Sequence, residues 1–152
     1  MISKLFIKIR NGKEKLIRQI LTLAAIILLL IVAMAPGILQ LMYRADAQVA
    51  LGNAKTVRMA LQSVATDMYG NGKSIYDSTC YGGVSDEVRQ KVILLSKVPG
   101  DFWILQTDAM GFEVTGFIYQ EGDFKVYYTK DPLVYSVYRE QNFIRTQFQR
   151  GE

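Results

Sequence analysis

Residues 20–72 read ILTLAAIILLLIVAMAPGILQLMYRADAQVALGNAKTVRMALQSVATDMYGNG, and the way its two halves join decides the fold. The first half, residues 20–43, carries no charge over 24 residues. At about 1.5 Å per residue it reaches roughly 36 Å, enough to cross a hydrocarbon core of about 30 Å with some tilt. In the second half, residues 44–70, apolar or small side chains fall at Ala47, Ala50, Ala54, Val57, Leu61, Val64 and Met68. Those spacings of three and four line one face of a helix. Gln48, Lys55, Arg58, Gln62 and Asp67 are placed largely elsewhere around the cylinder. Gly52 weakens the helix by about 1 kcal/mol relative to Ala without ending it. Gly70-Asn71-Gly72 supplies the permissive backbone wanted at a helix C-terminus.

No breaker cluster separates the halves. Pro36-Gly37 is the one interruption, and the missing proline donor predicts a kink or a short unwound section there. Residues of roughly 16–69 are therefore expected to form one helix about 80 Å long. Val57, Leu61, Val64 and Met68 are its expected contact with a sheet. Ala24, Ala25, Ala33 and Ala35 are the small residues available for helix packing within lipid, if they are not simply lipid-facing.

The charge distribution sets the expected topology. The chain's net charge is +4, but residues 1–19 hold six basic side chains against Glu14 alone, and the remainder balances to −1. A basic head beside the first span stays cytoplasmic, so the domain beyond residue 43 is expected outside the membrane. The folded part lacks the net positive charge of a nucleic-acid binder. Retention of the span is expected over cleavage. Its apolar run exceeds the usual signal-peptide length of about 7–15 residues. In addition, Ala45-Asp46-Ala47 is an awkward cleavage region, and Pro36 follows Ala33-Met34-Ala35.

Beyond the helix, residues 73–83 show no period and read as a loop. Ser85 is the expected N-cap of a short helix whose first turn holds Asp86 and Glu87, closed by Pro99-Gly100. Strand-like runs follow at 103–106, 112–120, 124–129 and 133–139, with a hairpin turn at Glu121-Gly122-Asp123 and Asp131-Pro132 between the last two. The expected fold class is α+β, a long N-terminal helix packed on a small antiparallel sheet of three to four strands. Its parts are the head 1–19, the transmembrane half 20–43, the amphipathic half 44–70, the loop, short helix and sheet 71–140, and a tail 141–152 that docks loosely or frays. Tyr119, Tyr127, Tyr128, Tyr135 and Tyr138 suit either sheet packing or a binding surface.

Catalytic chemistry is hard to place on this chain. There is no His, and Cys80 stands alone, so the usual general base, Cys–His nucleophile and zinc sets are missing. Cys80 reads either as an intermolecular disulfide partner or as an unreactive side chain. Asp101, Asp108, Glu113, Glu121 and Asp123 read as solvated turn acids, with Glu121 and Asp123 the only candidates for a weak calcium site. No cofactor, metal or small-molecule substrate is expected, and the chain is not expected to be an enzyme.

The order of basic head, apolar helix with a mid-span proline, continuous amphipathic half, loop and antiparallel sheet resembles type IV pilins and their pseudopilin relatives. The resemblance rests on the text from Leu21 to Gly72, including Pro36, nearby Arg44 and the Gly-rich helix end. It implies a structural subunit, whose partners are the membrane and other pilin-like subunits in a homo- or hetero-oligomer. The sequence departs from that family where Gly12 is followed by Lys13, and where the family's glutamate position falls on Gln19 or, in another alignment, on Ala25. The alternative expectation is a single-pass anchored interaction protein, whose outer domain binds a partner protein or envelope polymer without forming a filament.

Overall fold

The computed structural model describes the backbone of residues 2–140 and 142–148 and the side chains of residues 15–140. Its first element is a single helix, α1 (Ile2–Gly70). Helix α1 runs through Pro36, so the expected unwound section is not present. It also begins well before residue 16. Once nucleated in good helix-forming sequence, a helix extends cheaply, and Asn11-Gly12 weakens it without stopping it. The stop falls where the glycines place it. Asn71 N donates to Met68 O at 3.0 Å and Gly72 N to Tyr69 O at 2.9 Å, with Gly72 at φ 68°.

Compactness divides the chain into Met1–Tyr43 and Arg44–Glu152. In the first unit, the described side chains of residues 15–42 are exposed. This part of α1 is long and apolar enough to cross a membrane.

The second unit is a helix-on-sheet layer. After a loop containing a short 3₁₀ turn (Tyr81–Gly83) comes α2 (Asp86–Ser96), with five strands following: β1 (Asp101–Thr107), β2 (Val114–Glu121), β3 (Phe124–Thr129), β4 (Val134–Arg139) and β5 (Asn142–Phe148). Ser85 caps α2 by accepting from Val88 N at 3.4 Å, as expected, and Glu87 pairs with Lys91 one turn on. Helix α2 ends a little early, at Ser96, because Lys97 takes a left-handed conformation while its N–H still closes on Ile93 O.

The sheet is an antiparallel meander in the order β1-β2-β3-β4-β5. The β2–β3 hairpin turns at Gly122-Asp123, with Gly122 at φ 55° and Glu121 opposite Phe124. The β1–β2 pairing is interrupted by irregularities between Ile104 and Thr107. Strand β5 is an addition to the expected four. Residues 142–148 of the expected tail pair with β4 rather than fraying, while residues 149–152 and the tail's side chains lie outside the described residues.

One core joins these layers. Helix α1 contributes Ala47, Ala50, Leu51, Ala54, Val57, Ala60, Leu61, Val64 and Ala65, and the sheet contributes Phe102, Phe117, Tyr119, Val126, Tyr128, Tyr135 and Val137. Val84, Val88 and Val92 close it from the α2 side. Ala47, Ala50 and Ala54 present a smooth, small-residue surface on the core side of the helix. The three buried tyrosines fill the space between helix and sheet.

Candidate functional surfaces

The structure brings the four expected helix-to-sheet residues together. Val57, Leu61 and Val64 are buried and Met68 packs partly buried against the same cluster. Arg58 does not face away as expected. Its guanidinium lies 5.1 Å from the Tyr128 ring centroid, and its Nη1 donates to the Tyr135 hydroxyl at 3.3 Å. A long side chain at the border of an apolar stripe bends its stem along the core and offers its cationic head to ring faces.

The four alanines of the expected packing face do not share one. At about 100° per residue, Ala24 and Ala35 fall within roughly 20° of each other, whereas Ala25 lies about a quarter-turn away and Ala33 nearly opposite. All four are exposed, as are Pro36, Gly37 and Gln19. Space around Gly37 is open, with nothing within 4 Å of where a Cβ would sit.

Asp123 is exposed, as read from the sequence, while the other four turn acids are half-buried and engaged by partners. Glu121 turns inward, and its Oε2 accepts from Asn53 Nδ2 of α1 at 2.7 Å and from the Tyr119 hydroxyl at 2.8 Å. The same hydroxyl accepts from Gly100 N at 3.1 Å. Burial, reinforced by the Glu121 carboxylate, pushes the Tyr119 phenol well above its ordinary value, so it stays a neutral donor. Asp108 closes the β1–β2 loop, accepting from Phe112 N at 2.7 Å and Glu113 N at 2.8 Å. These backbone donors hold its carboxyl below the usual range. Glu113 pairs with Lys130 at 2.5 Å, Asp101 with Arg89, and Asp123 with Arg139 at 3.8 Å. The calcium alternative loses its best ligand, because the Glu121 carboxylate is engaged by Asn53 and Tyr119. Among the described residues no group of three or more His, Cys, Asp or Glu side chains is arranged to hold a metal ion.

Arg89 is the staple of the α2 side. Its side chain reaches Asp101, the Phe102 carbonyl and the Tyr81 carbonyl, and sits 5.1 Å from both the Tyr81 and Phe102 ring centroids. Cys80 is half-buried nearby, and its thiol donates to Asp77 Oδ2 at 3.3 Å. The Asp77 hydrogen bond raises the thiol above its ordinary value, which favours the unreactive reading of this residue.

The five sheet tyrosines divide by face. Tyr119, Tyr128 and Tyr135 are core residues. Tyr127 and Tyr138 point to the opposite face, where their rings meet edge-to-face at 5.4 Å and, with Lys125 and Glu140, line a depression of about 390 Å³. Trp103 belongs to that outer face too, since Phe102 and Ile104 on either side of it are buried. Pairing places Trp103 opposite Ile118, Ile118 opposite Tyr127, and Tyr127 opposite Ser136, one rung across four strands. The sequence reading overlooked Trp103. Phe102-Trp103-Ile104-Leu105 is apolar throughout, so no alternation in the sequence marks Trp103, and only the burial of its two neighbours shows that it faces outward. No family model, curated protein or solved structure matches the chain.

Proposed function

We propose that this chain is a structural, membrane-anchored pilin-like or pseudopilin-like subunit that assembles through its N-terminal helix, in a type IV pilus or a type II secretion-like system. The observation that supports it is the single helix α1, which holds both the uncharged run 20–43 and the stripe from Ala47 to Met68 that builds the outer core. An anchor of ordinary kind needs no such continuity, whereas a subunit that packs by its helix does. Positive charge in residues 1–19 favours an N-in orientation with the sheet unit outside. Retention of the span fits the burial of Ala47, which is 1% exposed, since a cut behind it would remove a core residue. Gln19 is neutral, so contacts between neighbouring spans rely on close packing rather than on a buried carboxylate.

The test is disulfide crosslinking in native membranes, with single cysteines at Ala24, Ala35 and Ala33 in a Cys80→Ser background. Assembly through one side of the helix gives disulfide-linked dimers from Ala24 and Ala35 and fewer from Ala33. Monomer at all three positions overturns the reading. Mass measurement of the mature chain, run beside it, distinguishes an intact chain from one cut at Gly12 or near Ala47.

A second reading, a single-pass anchored protein whose outer domain binds a partner protein or envelope polymer, is favoured by the outward placement of Trp103, Tyr127 and Tyr138. Replacing residues 20–43 with an unrelated apolar span separates the two. Function survives the exchange under the second reading and fails under the first.

A further inference from the structure

We infer that the outward face of β1–β4 is a platform for a neutral, β1,4-linked glycan chain lying across the strands. This inference rests on the second reading above and is independent of helix assembly. Trp103 and Tyr127 stand on the same rung with Ile118 between them. Strands about 4.8 Å apart put the two aromatic positions roughly 10 Å from each other. In a β1,4-linked chain alternate sugars present the same face and recur at close to that interval. Two rings so placed can each take the apolar C–H face of one sugar, with Ile118 as the floor between them.

The rings are held in place before any ligand arrives. Trp103 meets Tyr81 edge-to-face at 6.1 Å, and Tyr127 meets Tyr138 in the same manner at 5.4 Å. Tyr127 is 37% exposed and Trp103 partly exposed, so ring surface remains for contact. Around the rings stand groups suited to sugar hydroxyls. Gln120 pairs with Lys125 across the next rung, Ser136 follows Tyr127, and Glu140 borders the depression of about 390 Å³. Fixed rings with a few polar groups at their margins are the usual composition of a selective small-molecule surface. Charge separates a glycan from a nucleic acid as occupant. Lys125 shares the depression with the opposite charge of Glu140, and Arg89 is occupied by Asp101, so among the described residues these cations form no continuous track on this face.

Trp103 is the only tryptophan, so its emission reports directly on this face. The full chain in lipid nanodiscs is titrated with chitohexaose and cellohexaose, with maltohexaose as the curved, α-linked comparison. A saturable change in Trp103 emission is expected with the two β-linked probes and not with maltohexaose, and chitotriose binds more weakly than chitohexaose. Tyr127→Ala weakens binding on the order of tenfold, as loss of an aromatic contact implies, while Tyr69→Ala, an exposed tyrosine on α1, leaves it unchanged. No spectral change with either β-linked hexasaccharide at millimolar concentration overturns the proposal. So does a change that follows protein concentration instead of sugar, which would mark the face as a contact between copies. If sugars fail but Tyr127→Ala still abolishes crosslinks to another protein, the glycan proposal falls and the second reading stands.

Discussion

The Tyr119 hydroxyl ties three segments together, α1 through Asn53 and Glu121, the end of β2, and the Gly100 turn before β1. Tyr119→Phe keeps the ring and removes this junction, leaving the Gly100 N–H without a partner and the part-buried Glu121 carboxylate with Asn53 alone. Thermal melting followed by near-ultraviolet circular dichroism is expected to show a loss of about 1–3 kcal/mol. Gly100 is constrained by the same contacts, since a Cβ there would run into the Gln120 carbonyl and the Tyr119 phenol. Asp108 makes a pH-dependent contribution whose sign follows from its lowered carboxyl. The contribution is present above the ordinary aspartate value and disappears as pH falls through the depressed native one. The protection factors of the Phe112 and Glu113 amides are therefore expected to fall as pH is lowered through that range, and Asp108→Ala should abolish that dependence. Cys80, donating to Asp77, is expected to react with iodoacetamide at pH 7 more slowly than an unpaired thiol, and Asp77→Ala should restore the rate.

Among the elements, the amphipathic half of α1 was the most legible in sequence. Each of the six positions Ala47, Ala50, Ala54, Val57, Leu61 and Val64 is buried where the spacing predicts, because a stripe that repeats every three or four residues has one way to meet a sheet. Leu61→Ala in this core is expected to cost about 2–5 kcal/mol, and Ala54→Leu about 1–3 kcal/mol by overpacking, both read as shifts in the melting of the sheet unit. The strands were legible as strands, but not their faces. Tyr127 and Tyr128 are adjacent, and composition alone does not say which enters the core. That is fixed by the two-residue turn at Gly122-Asp123 and by the register it imposes. Strand β5 escaped notice because Phe143 and Ile144 are neighbours, so its sequence does not alternate. Backbone hydrogen bonds to the edge of β4 need no alternation, and they define the strand. The outer-face row was hidden for a related reason. Trp103, Ile118 and Tyr127 are far apart in sequence and become neighbours only through two pairings.

At the level of the whole molecule, the division at residues 43 and 44 has a measurable consequence. The unit Arg44–Glu152 owns the entire described core, while the described side chains of residues 15–42 are exposed to whatever surrounds them. Heating in detergent micelles is therefore expected to melt the sheet together with residues 44–70 as one cooperative step and to leave the helicity of residues 20–43 in place. Leu61→Ala should lower the midpoint of that step without changing the residual helical signal. The meander carries a further consequence for how the chain acquires its fold. Every strand bonds only to its sequence neighbours, so each pairing closes a short loop and incurs little chain-ordering entropy. Under the topology proposed above, a sheet unit that emerges through a membrane end-first gains from such local wiring. Each hairpin can zip as it appears, with no need to keep an earlier strand waiting for a distant mate.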